Sequence, residues 1–294
     1  MYILKSPHKC SRGFPVRPID RSAIAPLLLA FLVPFTLTVA CTKVPFTDRR
    51  QFDLVPDAIM IPLGAQAYES TLTGVQVTEK GDNAEEVSTV GRRIAKVADN
   101  PDYDWEFALI KDASTINAWC LPGGKVAVYT GLLPVAQNEA GLAFIVGHEV
   151  GHAMAHHSAE RLTQQLTVLG GIAGLNLYLS KKTAMTDEQR TILLAGLGLG
   201  AEVGMILPFS RLQESEADVI GMMYMAAAGY PPDESIAIWD RMEQATGGSS
   251  LPTFLSTHPS NSNRQANLND WMNRAKKRYT RNALDRDTTS TLWK

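Results

Sequence analysis

His148-Glu149-Val150-Gly151-His152 sets two imidazoles four residues apart around a glutamate. On a helix of 3.6 residues per turn those positions differ by about 40° around the axis, so both rings face one point and can share a metal. Glu149 stands beside the first ring and can reach a water next to that metal without binding it. Two nitrogen ligands and a general base are most of what a zinc hydrolase needs.

The third ligand must come from elsewhere. Seven and ten residues after His148 stand Ala155 and Ser158, which excludes the metzincin pattern of glycine and a third histidine at those places. A gluzincin-type glutamate is available downstream in Glu214-Ser215-Glu216-Ala217-Asp218. Glu214 and Asp218 share a helix face, whereas Glu216 points well away from it. One of the pair could bind zinc while the other accepts an imidazole N–H. By itself the cluster also suits a solvated helix start, where negative charge is favoured.

Several blocks together resemble the HtpX and CAAX-prenyl-protease family of metallopeptidases, metallopeptidase family forty-eight. They are the His148–His152 motif, Ser210-Arg211-x-x-Glu214-x-x-Ala217-Asp218, Ser256-Thr257-His258-Pro259-Ser260 with Arg264 beyond it, and Asn117-Ala118-Trp119-Cys120-Leu121-Pro122-Gly123-Gly124 followed by Thr130-Gly131-Leu132-Leu133. The segment Val44 to Gln51 is similar to the start of the family's bacterial lipoprotein members of the LoiP type.

The resemblance implies one Zn2+ per chain held by His148, His152 and Glu214, with Glu149 as general base and Asp218 as partner of a zinc histidine. It implies His258 near the metal as a donor to the developing oxyanion, a role such sites require. Asn117, Ala118, Trp119 and Cys120 would be the edge strand on which an extended peptide lies. Cys120 itself receives no catalytic role and reads as a half-buried small apolar residue. The implied fold is α+β, a helix-rich zincin-like (gluzincin) domain with a small mixed sheet whose edge strand precedes the zinc helix.

Periodicity supplies the elements that must hold these groups. Apolar recurrence predicts helices over 84–98, 139–165, 213–228, 233–246 and 262–278, and extended runs over 104–111, 116–120 and 126–130. The stretches 166–179 and 191–207 are apolar and glycine-rich and read as buried helices. On an unbroken zinc helix His157 falls on the side opposite His148 and cannot join its metal, and His156 is structural. Met222, Met223 and Met225 read as core filling.

The chain as a whole has ordinary globular composition: 294 residues, 45% hydrophobic and 20% charged. A net charge of −2 offers no basic excess for a phosphate backbone, so nucleic acid is excluded as a first partner. Three cysteines, Cys10, Cys41 and Cys120, make no disulfide framework, so a metal must rest on His, Asp or Glu.

Residues 1–40 carry five basic side chains ahead of an apolar run that stops at Ala40-Cys41, the pattern of a secretory signal. Two readings stand for Cys41: the lipidated first residue of a bacterial lipoprotein, or part of an ordinary cleaved signal or anchor. Without residues 1–40 the chain keeps 23 basic against 29 acidic residues and is acidic. Residues 41–60 are expected as a lipidated tether, 61–280 as the peptidase domain and 281–294 as a disordered tail.

The expected activity is zinc-dependent hydrolysis of peptide bonds in unfolded or damaged cell-envelope proteins. The expected place is the periplasmic face of the outer membrane, held through Cys41, with outer-membrane protein assembly partners. The alternative is a zinc-bearing chaperone-like or assembly lipoprotein that cleaves little. A protease of lipidated CAAX peptides would need several membrane spans that this chain does not show.

Overall fold

The computed structural model describes residues 41–168, 196, 209–245, 253–259 and 263–282. The expected leader, the apolar stretches beyond residue 168 and the tail from residue 283 lie outside the described residues. Among those described, no helix is long and apolar enough to cross a membrane.

The chain opens with a two-stranded antiparallel ribbon, β1 (Cys41–Lys43) and β2 (Arg50–Phe52), followed by α1 (Asp57–Leu72). The expected tether is therefore built into the domain. Val44 and Gln51 are buried, and the ribbon is held by side chains described below.

A four-stranded mixed sheet contains β3 (Val77–Thr78), β4 (Glu106–Ile110), β5 (Ala118–Leu121) and β6 (Lys125–Tyr129) in the order β3-β4-β6-β5. β4 and β6 run parallel, while β3 on β4 and β5 on β6 are antiparallel. α2 (Asp82–Ala98) connects β3 to β4. The turn from β5 to β6 passes through Gly123 and Gly124, both at positive φ, a conformation that a side chain would resist. β5 is one of the sheet's two edge strands, as expected, and it precedes the zinc helix.

After a 3-10 turn at Thr130–Leu132 and the short α3 (Leu133–Ala136), α4 (Glu139–Met154) carries His148, Glu149 and His152. Asn138 caps it by accepting from the Gly141 N–H at 2.8 Å. Every residue from Ala140 to Ala153 is buried, so α4 is the central helix, apolar almost all round.

The single helix expected over 139–165 breaks at Ala155 and His156, where His156 takes a positive φ of 54°. α5 (His157–Val168) starts afresh from there. Next come α6 (Arg211–Ala227), α7 (Glu234–Ala245), α8 (Thr253–Thr257) and α9 (Asn263–Asn282). α6 begins two residues before the expected start because Ser210 and Gln213 form a reciprocal capping box.

α4 and α6 lie against one another along a seam of small residues, Gly147 and Gly151 on one side and Ala217 and Gly221 on the other. A Cβ built on Gly221 would stand 2.7 Å from the backbone nitrogen of His148. Backbone cannot yield there as a flexible side chain would, so the helices must separate to admit a methyl group. Gly221→Ala is expected to destabilise the protein by about 1–3 kcal/mol, in the range of an overpacked core. Denaturant unfolding measures it, and a variant as stable as the parent would show that the seam is looser than described.

Candidate metal centre

α4 brings His148 and His152 onto one face, and α6 presents Glu214 and Asp218 to that face across the glycine seam. The turn after α8 adds His258. Together His148, His152, Glu214 and His258 offer ligand atoms that all lie within 4.8 Å of one another, and all four side chains are buried.

The separations test whether a metal fits. Four donors around zinc at about 2.0–2.1 Å stand about 3.3–3.4 Å apart along the edges of a tetrahedron. Here His148 Nε2 lies 3.1 Å from His152 Nε2 and 3.2 Å from His258 Nδ1. Glu214 lies 3.6 Å from His148 Nε2, 3.4 Å from His152 Nε2 and 3.1 Å from His258 Nδ1. The donor types, two histidines and a glutamate with a third imidazole at the remaining corner, are those of zinc. Glu149 Oε1 and Glu214 Oε2 are buried without a hydrogen-bond partner. Glu214 Oε2 does have Arg264 Nη1 at 2.7 Å, a charge contact without hydrogen-bond alignment.

Electrostatics suits the same reading. Burial holds the His148 and His152 imidazoles below their ordinary range despite the nearby carboxylates, which keeps lone pairs available. Burial opposes the charge of Glu214, but His258 and Arg264 outweigh it and hold the group well below the usual carboxylate range. His258 shows the same balance: burial disfavours its charge, yet facing Glu149 and Glu214 leaves its pKa raised.

Asp218, expected as the partner of a zinc histidine, lies against His148. Its Oδ1 accepts from His148 Nδ1 at 3.0 Å and from Arg264 Nη2 at 2.7 Å, while Oδ2 accepts from Arg264 Nε at 2.6 Å. The guanidinium keeps Asp218 an acceptor, so the His148 proton sits on Nδ1 and Nε2 is left bare for a metal. Arg264 lies over the Trp239 ring at 3.7 Å and is itself fully buried. The sequence motif contains Arg264 but does not reveal this role.

Glu149 points to the other side of the cluster. Burial raises its carboxyl to about 7, and His258 Nε2 lies 3.4 Å from Oε1. β5 packs against α4, which places the edge strand beside the helix that carries the expected base. Asn117, Ala118, Trp119 and Cys120 are all buried. Cys120 is more buried than expected, and burial raises its thiol well above the ordinary value, leaving it an unreactive apolar group. The side chain of Cys41 lies outside the described residues.

Glu216 is absent from the metal cluster, in line with its expected direction. His157 contributes no ligand atom to it either, but the break at His156 brings its ring back against His152, with Nδ1 to Nδ1 at 2.9 Å. An unbroken helix would have carried it to the opposite side. The sequence signal that could have shown this is the histidine spacing itself, had the helix end at Ala155 been known.

Comparison with known proteins agrees with the site. Residues 82–272 match the model of peptidase family M48. The chain is 36% identical over 241 residues to the mitochondrial metalloendopeptidase OMA1 of Schizosaccharomyces pombe, covering 78% of this chain and 66% of the relative. Against OMA1 of Saccharomyces cerevisiae it is 31% identical over 255 residues, covering 81% and 70%. Against the beta-barrel assembly-enhancing protease of Escherichia coli (strain K12) it is 27% identical over 206 residues, covering 68% and 41%. The chain thus spans about two thirds of the OMA1 relatives and under half of the bacterial one. These relatives bear out the family, not the narrower LoiP-type likeness.

If Glu214 is a ligand, Glu214→Ala should lose stoichiometric zinc while Glu216→Ala still fills its site at saturating metal. Elemental analysis of the two purified variants decides between them, and the opposite pattern would show that the wrong carboxylate has been chosen.

Proposed function

We propose that this chain, which belongs to peptidase family M48, hydrolyses unfolded or damaged polypeptides of the cell envelope. That it is a zinc metalloendopeptidase follows from the family and from the His148, His152 and Glu214 site. The substrate class is the inferred part. The observation that carries it is the edge position of β5 beside Glu149. Pairing along a strand edge uses backbone groups that every extended peptide has, so it favours unfolded chains with loose side-chain preference.

When bound by His148, His152 and Glu214, zinc supplies a Lewis acid that polarises the scissile carbonyl and acidifies water. The protein's own groups supply the rest. Glu149, whose burial makes its ionised form costly and hence basic, takes the proton from the attacking water and passes it to the leaving amine. His258, with Nε2 toward Glu149 and Nδ1 toward Glu214, is placed to donate to the carbonyl oxygen. Asp218 and Arg264 hold His148 in its metal-binding tautomer.

The same geometry favours a second reading. His258 Nδ1 takes the fourth corner of the cluster, and a catalytic metal site keeps one position open. In this second reading His258 would hold the ion and have to move for a peptide to be cut, and a protein resting so would bind zinc and cleave little, as an assembly lipoprotein would.

An envelope location is supported by the leader pattern and by the name of the bacterial relative. In this proposal Cys41 is the lipidated first residue and the protein sits on the periplasmic face of the outer membrane. Its partners there are outer-membrane proteins under assembly. The N-terminal mass and the membrane fraction test this directly; a soluble, unlipidated mature chain would contradict it.

Glu149→Gln should retain zinc and lose cleavage of an unfolded test protein by about 10²–10⁴-fold, the usual contribution of a general base. Normal turnover by that variant would remove Glu149 from the role. A zinc-loaded parent protein that binds the unfolded chain and leaves it intact would favour the second reading.

A further inference from the structure

His152 obtains its orientation from a source that differs from that of His148. Among the described residues no carboxylate faces its Nδ1; the partner there is His157 Nδ1 at 2.9 Å. Two facing Nδ1 atoms at that distance share one proton, and the question is which ring carries it. The other side of His157 answers it. His157 Nε2 lies 3.2 Å from Glu216 Oε2, and Glu216 in turn accepts from Arg49 Nε at 2.7 Å and from the Thr47 hydroxyl at 3.2 Å. Two donors on Glu216 hold it as an acceptor for His157.

A neutral His157 that donates from Nε2 to Glu216 has a bare Nδ1. His152 must then donate from its own Nδ1, which leaves its Nε2 bare and directed at His148 and Glu214. Around this chain the packing is closed: His157 is 0% exposed, and Phe209 covers the His152 ring at 3.9 Å.

Arg49 ties the chain to the N-terminal ribbon. It sits between β1 and β2, donates from Nη1 and Nη2 to Glu160 at 2.9 and 3.0 Å, and donates from Nη2 to Gln51 at 2.9 Å. Gln213, in the first turn of α6, donates to the same Glu160 at 2.7 Å. The ribbon is thus fastened to α5 and α6 at the back of the metal centre, on groups that do not reach the metal.

We infer that His157, Glu216 and Arg49 form a positioning relay that fixes the tautomer of His152, so that the seating of the N-terminal ribbon contributes to metal affinity at a site it does not touch. The relay rests on the reading of His152 as a zinc ligand. Its residues are positioning residues, since none meets substrate or metal. The helix break at His156 has a purpose in this account. An uncommon positive φ for a histidine returns the next ring onto the ligand.

Zinc affinity, measured by chelator competition on the purified protein, separates the possibilities. His157→Phe keeps a ring and loses the acceptor, and should weaken zinc binding by about 10–100-fold, as loss of a ligand's outer partner does. His157→Gln keeps an amide oxygen for His152 and an N–H for Glu216, and should bind zinc close to the parent. Arg49→Gln should weaken binding by less than His157→Phe. Two-bond 15N correlation spectra of the parent should show His157 protonated at Nε2 and bare at Nδ1; a proton on its Nδ1 would overturn the relay even if His157→Phe failed to fold. A parent that binds zinc together with a folded His157→Phe of equal affinity would overturn the relay alone. A parent that binds no zinc would overturn the metal site itself.

Discussion

The approach of α4 to α6 is the constraint on which the rest of the molecule depends. Ligands on two helices separated by a long stretch of chain can share one ion only if the helix backbones come unusually close. Gly147, Gly151 and Gly221 remove the side chains that would hold them apart. Once the seam closes, His148 and His152 face Glu214 and Asp218 by helix geometry, and the turn after α8 adds His258. The mixed sheet then serves to lay β5 beside Glu149, and α9 to deliver Arg264 to Asp218.

Such an assembly is costly without its compensations. Glu149, Glu214 and Asp218 are buried together, and so are the His148, His152 and His258 imidazoles. Unpaired, each buried charge would destabilise the fold or lose its charge. Arg264 offsets two of the carboxylates, with hydrogen bonds to Asp218 and a charge contact to Glu214, while its flat face packs on Trp239. The oxygen left without a hydrogen-bond partner or an arginine beside it is Glu149 Oε1, which faces His258 at the edge of the cluster.

The zinc helix, its two histidines, the base and the downstream glutamate were legible in the sequence because helical spacing maps directly onto a shared face. The strands and the Pro122-Gly123-Gly124 turn were legible for the same reason, in a period of two and a turn that demands positive φ. What escaped was set by contacts remote in sequence or by backbone events with no periodic trace. Ala155 and His156 offer no glycine or proline to announce the end of α4, so helical spacing alone puts His157 on the wrong side. The start of α6 was carried in Ser210 and Gln213, a capping pair outranked by the apolar pattern after it. Residues 41–60 lack periodicity and read as a tether, yet Arg49 binds them to Glu160 and Glu216, partners more than a hundred residues away. Arg264 was visible in a motif, but only the fold shows that it holds Asp218.

The central claim is that a single zinc ion is held by histidine nitrogen and glutamate oxygen, without sulfur. X-ray absorption at the zinc edge of the purified, zinc-loaded protein tests it most directly. The account predicts a first shell of nitrogen and oxygen at about 2.0–2.2 Å, with the outer scattering of at least two imidazoles. A sulfur shell near about 2.3 Å, or an ion surrounded by oxygen alone, would contradict it.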